Sequence, residues 1–208
     1  MIIYLEANIG AGKSTLLSKL EESDLNIKII QEPVNEWLKL KDKSGSNILD
    51  NFYKDSSKWA FAFQINAFYT RIKKIEECTD DTIYIVERSI YTDKNCFAKN
   101  CYVNSILNDI EWNIYNDLHS WAQDYISKPF GYIYLKTTPE VCMKRIKNRS
   151  RKEEVNLSLD YLKDLDKLHD NFIESVENKK LILNGNLDYN TEVWLPNIIS
   201  KINNFISE

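Results

Sequence analysis

The sequence predicts an α/β fold in which five parallel strands form one sheet that is covered by helices on both faces. Two observations predict it: short apolar segments alternate with longer amphipathic ones, and a glycine-rich loop joins the first apolar segment to a helix. The 208 residues contain no internal repeat and no low-complexity linker, and this length fits one α/β domain. We therefore expect a single domain over residues 1–208.

Strands are expected where apolar runs end at polar or turn-forming residues, and helices where apolar residues recur every three or four positions. The expected strands are 2–5, 27–30, 82–86, 132–135 and 181–183. The expected long helices are about 57–77, 104–127, 157–176 and 191–206, and another helix begins at Thr138-Pro139. Residues 42–51 are polar and contain a glycine, so we expect a loop or a flexible helix connection there.

The loop after the first strand reads Ala-Asn-Ile-Gly-Ala-Gly-Lys-Ser-Thr over residues 7–15, which is typical of a phosphate-binding P-loop. Its backbone N–H groups can surround a polyphosphate, with Lys13 at the β- and γ-phosphates and the Ser14 hydroxyl on Mg²⁺. Ala7 stands where the GxxxxGK(S/T) pattern has its first glycine, and alanine disfavours positive φ, so we expect a slightly altered start of the loop. The motif predicts a P-loop NTPase-type three-layer fold in which the nucleotide contacts Asn8, Ile9, Gly10, Ala11, Gly12, Lys13, Ser14 and Thr15.

Charged residues follow the second and third predicted strands directly. Glu32 follows the second strand, and Glu87 and Arg88 follow the third, so all three are expected at the carboxyl edge of the sheet beside the P-loop. Glu32 is positioned to take a proton from an attacking hydroxyl, and Arg88 to stabilise charge on a transferring phosphoryl group. The alternative is that Glu32 and Arg88 form a surface ion pair without a catalytic role.

The helix at 57–77 places Gln64 and Arg71 on one otherwise apolar face, where both polar side chains need partners. Such groups suit the polar edge of a planar heterocycle, and aromatic side chains suit its faces. The aromatic candidates for these faces are Trp37, Tyr53, Phe63, Phe68 and Phe97. Each aromatic residue taken alone is better explained as core, but together with Gln64 and Arg71 the set favours a nucleobase site.

A basic cluster at 145–152 interrupts a chain that is acidic overall, with 27 basic and 31 acidic residues. Such clusters are usually solvated helix faces. In a protein with a P-loop we instead expect an arginine-rich lid over about 145–155, because phosphoryl transfer needs cations that close over the γ-phosphate and exclude water.

Composition restricts the partners. The net charge of −4 argues against general binding to nucleic acid or to an anionic membrane, so we expect a small-molecule partner. No apolar run approaches the roughly 20 residues that span a bilayer, and a strand begins directly after Met1, so we expect no leader and a cytoplasmic location. The four cysteines form no CxxC pair and have no histidines at ligand spacing, which predicts reduced thiols.

Several separated motifs together resemble the deoxyribonucleoside kinases, from Ile3 to about Phe205. They are residues 6–15, Glu32-Pro33-Val34 with Trp37, residues 59–64 (Trp-Ala-Phe-Ala-Phe-Gln), residues 87–93 (Glu-Arg-Ser-Ile-Tyr-Thr-Asp) and residues 149–154 (Arg-Ser-Arg-Lys-Glu-Glu). The resemblance implies a nucleotide-salvage kinase that transfers the γ-phosphate of ATP, or of another nucleoside triphosphate, to the 5′-hydroxyl of a deoxyribonucleoside with Mg²⁺. It also implies a homodimer joined through the helices at 57–77 and 104–127.

The same resemblance implies residue roles. Glu32 is implied as general base for the 5′-hydroxyl with Arg88 as its partner, and Ser14 with Glu87 as the Mg²⁺-associated pair. The implied catalytic set is Lys13, Glu32, Arg88 and the lid arginines Arg149 and Arg151, which clamp the phosphates. Asp188 and Tyr189 are implied to surround the donor base. The implied acceptor site comprises Glu32, Trp37, Leu49, Tyr53, Phe63, Gln64, Arg71, Arg88, Asp93, Phe97 and Glu154; in it Gln64 reads the base, and Tyr53 and Glu154 hold the sugar 3′-hydroxyl.

Arg71 and Asp93 resemble the deoxycytidine and deoxyguanosine kinase branch of the family. An ion pair beside the base would favour an exocyclic amine or a purine edge and crowd the thymine methyl group. We therefore predict deoxycytidine and purine deoxyribonucleosides ahead of thymidine.

Two other functions stay open from the sequence. A nucleoside monophosphate kinase, such as a thymidylate kinase, shares the loop, sheet and lid, but it usually places a cation where Glu32 stands, because a carboxylate repels a monophosphate. A non-catalytic nucleotide-binding subunit would be expected to lose the base or the lid charges. A GTPase is disfavoured because no Asn-Lys-x-Asp run occurs.

Overall fold

The computed structural model describes residues 1–149, 151–155, 157–187 and 194–207. The strands of its sheet are β1 (Ile2–Glu6), β2 (Lys28–Ile30), β3 (Tyr84–Glu87), β4 (Gly131–Lys136) and β5 (Lys179–Asn184). All strand pairs are parallel and the spatial order is β2-β3-β1-β4-β5, so β1 lies at the centre. The predicted sheet of five parallel strands is confirmed.

Helices fill the connections between the strands. They are α1 (Lys13–Glu21), α2 (Val34–Lys39), α3 (Ile48–Lys54), α4 (Ser56–Glu76), α5 (Ile90–Thr92), α6 (Lys99–Val103), α7 (Asp109–Tyr125), α8 (Pro139–Arg149), α9 (Leu159–Ser175) and α10 (Trp194–Ser207). A π-helix at Asp93–Ala98 joins α5 to α6, and a 3₁₀ helix covers Lys152–Glu154. In the described parts of the chain, no helix is both long enough and apolar enough to cross a membrane.

The helix expected at 104–127 was predicted to begin too early. α7 begins only at Asp109, because Asn108 and Glu111 cap the N-terminus of the helix with two reciprocal hydrogen bonds. The Asn108 side chain accepts a hydrogen bond from the N–H of Glu111 at 3.0 Å, and the Glu111 carboxylate accepts one from the N–H of Asn108 at 2.9 Å. This reciprocal capping box satisfies N–H groups that the first helical turn leaves without partners.

The connection expected over 42–51 is also wrong in its second half. Asn47 accepts a hydrogen bond from the N–H of Asp50 at 2.8 Å and starts α3, so residues 48–51 are helical. The short helices α2, α5 and α6 and the π-helix were not predicted, because segments of three to six residues are too short to show a clear amphipathic pattern.

The alternation of side chains along β1 divides the core into two halves. Ile2 and Tyr4 pack on one side with residues of α2, α3, α4 and α7, whereas Ile3 and Leu5 pack on the other with residues of α1, α8 and α10. The result is three layers, with a sheet between two layers of helices, as predicted for a P-loop fold.

The loop between β1 and α1 needs glycine at two positions. Gly10 has a φ of +75° and Gly12 a φ of +101°, in the left-handed region that side chains disfavour. Ala7 has no positive φ and is fully buried, so alanine replaces the usual first glycine without backbone strain.

Candidate active site

A cavity of about 680 Å³ lies at the carboxyl edge of the sheet. It is lined by the P-loop, the ends of β2 and β3, the helices α3 and α4, the π-helix and the arginine-rich segment after β4. Parallel α/β sheets bind ligands at this edge, because strand ends and helix N-termini converge there. The sequence-predicted residues that line the cavity are Ile9, Gly10, Gly12, Lys13, Ser14, Thr15, Glu32, Trp37, Leu49, Tyr53, Phe63, Gln64, Arg71, Glu87, Arg88, Asp93, Phe97, Arg149, Arg151 and Glu154.

Some residues predicted to contact the nucleotide are not on the cavity. The Asn8 side chain is buried. Its Nδ2 donates to the carbonyl of Leu162 at 2.8 Å, and its Oδ1 accepts from the N–H of Ile9 at 2.8 Å. Asn8 therefore stabilises the loop from the protein interior rather than from the cavity. The Ala11 methyl group is fully buried, in the core cluster that includes residues of α1 and α8. Asp188 and Tyr189 lie outside the described residues.

The P-loop end of the cavity carries the groups suited to a polyphosphate. Burial lowers the pKa of Lys13 to about 8, and the nearby Arg88 guanidinium acts in the same direction. The Lys13 ammonium donates to the carbonyls of Asn8 at 3.1 Å and Ala7 at 3.4 Å, along the inner side of the loop. The Lys13 ammonium therefore lies at the position expected for the terminal phosphates of a nucleotide bound in this loop.

Ser14 and Glu87 meet beside the P-loop. The Ser14 hydroxyl donates to Glu87 Oε1 at 3.3 Å, and Glu87 Oε2 accepts from the N–H of Glu32 at 3.2 Å. A hydroxyl and a carboxylate at the end of a P-loop form the oxygen donor set that Mg²⁺ takes together with substrate phosphates. These two residues therefore fit the metal that the resemblance implies.

Glu32 is held by two arginines from different elements. Arg88 Nη1 donates to both Glu32 oxygens, at 2.8 and 2.7 Å, and Arg71 Nη2 donates to Oε1 at 2.9 Å. Burial alone would raise the pKa of the Glu32 carboxyl, but Arg88 and then Arg71 lower it to about 2. The predicted Glu32–Arg88 pair is thus present, with side chains only 10 % and 8 % exposed, and it faces the cavity rather than the surface.

Arg71 connects this pair to the acceptor end of the cavity, which is the part lined by Trp37, Tyr53, Phe63, Gln64, Asp93 and Phe97. Its Nε and Nη2 donate to the two carboxylate oxygens of Asp93 at 2.7 and 3.0 Å, and its Nη1 donates to the carbonyl of Glu87 at 2.8 Å. The sequence predicted the Arg71–Asp93 pair, but the contact between Arg71 and Glu32 emerges only in the folded chain. Because every guanidinium nitrogen has an acceptor, Arg71 is fixed in one orientation.

Arg88 is constrained in both its backbone and its side chain. Its φ of +63° lies in the left-handed region, which costs a residue other than glycine or asparagine about 1–2 kcal/mol. Its guanidinium lies over the Phe97 ring, 4.8 Å from the ring centre. Strain of this kind is typical of residues that a fold holds in place for function.

Aromatic side chains line the acceptor end of the cavity. Phe63 lies between Phe52, stacked at 4.8 Å, and Trp37, edge-on at 5.4 Å, and the Trp37 indole donates to the Thr70 hydroxyl at 2.9 Å. Gln64 is buried beside this set, and among the described residues its side chain donates to the weak acceptor Cys101 Sγ at 4.0 Å, which leaves the amide suited to a ligand.

The prediction that Phe68 lines the cavity is wrong. Its ring packs 5.7 Å from Tyr115 and 6.3 Å from His119 in the core between α4 and α7. Helical spacing placed Phe68 on the same face as Gln64, but that face is wide enough to contact both the core and the cavity.

The arginine-rich segment is ordered around one carboxylate. Arg149 Nη2 donates a hydrogen bond to Glu154 Oε2, and Arg151 Nη1 donates one to Glu154 Oε1 at 2.9 Å. The Glu154 side chain is only 4 % exposed. Tyr53 of α3 lies close enough that the Glu154 charge helps burial to raise the pKa of the Tyr53 phenol. Glu154 thus lies between the arginines and the acceptor end.

Phe52 and Tyr161 also line the cavity but were not predicted as site residues, and Arg145, which was predicted only as part of the lid segment, lines it as well. Arg145 Nη1 donates to the carbonyls of Ala11 and Gly185, each at 2.8 Å, and so joins the P-loop to the end of β5. Its spacing of four residues from Arg149 on α8 was a signal that could have found it. Nothing in the local sequence marks Tyr161, which reaches the cavity only because α9 packs there.

A nucleotide bound in the P-loop of this cavity would have its terminal phosphate opposite Glu32 and Arg88. Beyond these residues the cavity has aromatic walls and room for a second small molecule. The fold and the site therefore define a P-loop phosphotransferase with a small-molecule acceptor. The chain belongs to the deoxynucleoside kinase family, whose sequence model matches residues 3–207, and it is accordingly a nucleoside kinase.

Curated relatives cover most of the chain. A probable deoxycytidine kinase of fowlpox virus is 38 % identical over 215 aligned residues, which cover 99 % of this chain and 88 % of the viral protein. Human deoxycytidine kinase is 33 % identical over 92 % of this chain and 80 % of its own length. Mitochondrial deoxyguanosine kinase of Xenopus laevis is 32 % identical over 90 % of this chain and 82 % of its own length.

Proposed function

We propose that this nucleoside kinase transfers the γ-phosphate of ATP, or of another nucleoside triphosphate, to the 5′-hydroxyl of a deoxyribonucleoside, and that it takes deoxycytidine and purine deoxyribonucleosides ahead of thymidine. The observation that carries the proposal is the partly buried Glu32 carboxylate, held by Arg88 and Arg71 across the cavity from the P-loop. A carboxylate there suits a neutral hydroxyl and repels an acceptor that already carries a phosphate. This disfavours a nucleoside monophosphate kinase.

In the reaction, Glu32 accepts a hydrogen bond from the 5′-hydroxyl and then its proton as the oxygen attacks the γ-phosphorus. Arg88 holds Glu32 in place and lies near enough to the reacting oxygens to stabilise their charge. The bond between the γ-phosphorus and the β–γ bridging oxygen breaks, and the nucleoside diphosphate leaves. The tight hold of the arginines on Glu32 keeps the carboxylate ionised before the acceptor binds.

The donor phosphates are bound by the P-loop N–H groups and Lys13 and are clamped by Arg149 and Arg151. Mg²⁺, held through Ser14 and Glu87, would neutralise charge on the β- and γ-phosphates. Both arginines line the cavity while they bind Glu154.

At the other end, Gln64 hydrogen-bonds the nucleobase edge, and Trp37 and Phe97 flank the ring. Asp93 accepts from an exocyclic amine while Arg71 holds it in place. This is the support for deoxycytidine and purines over thymidine. The names of the relatives, deoxycytidine and deoxyguanosine kinases, agree with that preference.

We further propose a homodimer in which α4 and α7 contribute the interface. One face of α7 exposes an apolar stripe at spacings of three and four residues, which consists of Ile110 (71 % exposed), Ile114, Leu118, Trp121 and Tyr125. Tyr69 of α4 is also exposed. The expected cytoplasmic location remains a prediction.

The reaction is tested with a panel of deoxycytidine, deoxyadenosine, deoxyguanosine and thymidine, each with Mg-ATP and with Mg-UTP. Thymidine as the best acceptor would contradict the proposed preference. Glu32→Gln should lower kcat by about 10²–10⁴-fold with nucleoside binding retained, because the general base is lost. Glu36→Gln, the same change at an exposed position of α2, is the control. Unchanged turnover in Glu32→Gln would refute the assigned base.

A further inference from the structure

Two segments that are distant in the sequence meet beside the cavity. One is α3 with the loop before it, and the other is the 3₁₀ helix at Lys152–Glu154. They are joined by a hydrogen bond in which Asn47 Nδ2 donates to Glu153 Oε1 at 3.1 Å, across 106 positions of sequence. Both side chains are partly buried, so water competes only in part for this bond.

Asn47 is oriented by α3 itself. Its Oδ1 caps the helix by accepting from the N–H of Asp50 at 2.8 Å, and its backbone pairs with that of Lys41 in an isolated bridge. The amide nitrogen is thereby turned toward Glu153. On the same helix, Leu49 and Tyr53 line the cavity.

The residue after Glu153 is Glu154, the carboxylate that Arg149 and Arg151 bind. The 3₁₀ helix therefore places the Glu153 side chain against α3 and the Glu154 side chain toward the cavity, where it binds the two arginines. The contact that holds Glu153 against α3 therefore also determines how far Glu154, Arg149 and Arg151 extend into the cavity.

We propose that Asn47 is a positioning residue for phosphoryl transfer: through Glu153 it seats the 3₁₀ helix on α3, so that the arginine-rich segment closes against the acceptor end of the cavity. The acceptor and donor ends of the cavity then close together. Weakening the contact between the 3₁₀ helix and α3 therefore weakens the acceptor site, although no residue of that site is changed. This inference rests on the proposed function in that the cavity is taken to bind a nucleoside.

The test exchanges donor and acceptor in the Asn47–Glu153 pair. Asn47→Asp keeps a good helix cap but sets a carboxylate against Glu153, which removes the hydrogen bond and adds repulsion. Adding Glu153→Gln restores a donor–acceptor pair in the reverse direction. Asn51→Asp is the matched control: it is the same substitution on the same helix, and the Asn51 amide donates at 3.0 Å to Asp42 in the preceding loop rather than to the 3₁₀ helix.

The first measurement needs no catalysis. Trypsin cleaves after Arg149, Arg151 and Lys152, and mass spectrometry of the fragments gives the rate at these bonds in the unliganded protein. We expect Asn47→Asp to raise that rate about fivefold, within the range of measured coupling between contacting side chains, and the reciprocal pair to return it toward the original. Asn51→Asp should leave it unchanged.

The second measurement is kinetic. Asn47→Asp should raise the KM for deoxycytidine about fivefold and reduce the preference for a 2′-deoxynucleoside over its 2′,3′-dideoxy analogue, because Glu154 no longer stays at the sugar; the reciprocal pair should recover both. The proposal is overturned if Asn47→Asp behaves as the original protein in both measurements, or if the reciprocal pair is no better than Asn47→Asp. If the cleavage rates follow the expected order but no nucleoside is phosphorylated by any variant or by the original protein, the role of Asn47 in holding the 3₁₀ helix on α3 is supported and the proposed function fails.

Discussion

Replacing Glu6 by glutamine should stabilise the protein, and increasingly so as the pH rises. Glu6 is the last residue of β1 and is fully buried. Burial raises the pKa of its carboxyl to about 7, although the hydroxyls of Ser89 and Thr92 and the charges of Arg71 and Arg88 oppose the shift. A carboxyl whose pKa is higher in the folded state binds its proton more tightly there than in the unfolded chain. Folding is therefore favoured below the unfolded pKa and is progressively disfavoured as the pH rises toward 7.

The size of the effect follows from the two pKa values. With the unfolded carboxyl at 4.5 and the folded one at about 7, Glu6 costs about 1 kcal/mol of stability at pH 5 and about 3 kcal/mol at pH 8, at about 1.4 kcal/mol per unit of pKa. Glutamine has nearly the same shape and no charge to bury. The advantage of Glu6→Gln over the original protein should thus grow by about 2 kcal/mol between these pH values.

Urea denaturation of both proteins at pH 5 and pH 8 measures this difference directly. Glu21→Gln, an exposed position on α1, serves as the control and should change the free energy of unfolding little at either pH. The reasoning is refuted if the difference between Glu6→Gln and the original protein does not depend on pH, or if the variant is the less stable protein at pH 8.

Three further outcomes test other parts of the structure. Arg71→Met combined with Asp93→Ala should raise the activity on thymidine relative to deoxycytidine, and an unchanged ratio would argue against the pair as the selector of the base. Gly10→Ala should lower the free energy of unfolding by about 1–3 kcal/mol in urea, because its Cβ would lie 2.6 Å from the carbonyl oxygen of Cys142 at a φ of +75°. Ile114→Glu, which adds charge to the apolar stripe of α7, should shift the protein toward monomer in analytical ultracentrifugation; an unchanged mass, whether of monomer or dimer, would contradict that interface.

The features that the sequence predicted correctly depend on local order. The P-loop is one continuous segment in which glycine, lysine and serine each have a fixed place, so its function can be read without knowing the fold. The sheet followed from apolar runs separated by helical ones. Once the strands were known to be parallel, Glu32, Glu87 and Arg88 had to share one edge, because parallel strands end on the same side.

The errors arose where two environments share one helix or where an element is short. Phe68 has the spacing of a cavity residue and lies in the core, since periodicity shows that a face is buried but not what covers it. The start of α7 depends on the cap at Asn108, and α3 on the cap at Asn47, which outweigh the apolar pattern at those ends.

By itself, the sequence determined the parallel α/β fold, the phosphate-binding loop and the set of charged residues at the strand ends, because each of these depends on neighbours in the chain. Only the tertiary structure decided that Arg71 contacts Glu32 as well as Asp93, that Glu154 binds both Arg149 and Arg151, and that Asn47 contacts Glu153. These contacts join segments whose distance apart is set by how helices pack on the sheet, and packing depends on the shapes of many side chains at once rather than on any one motif.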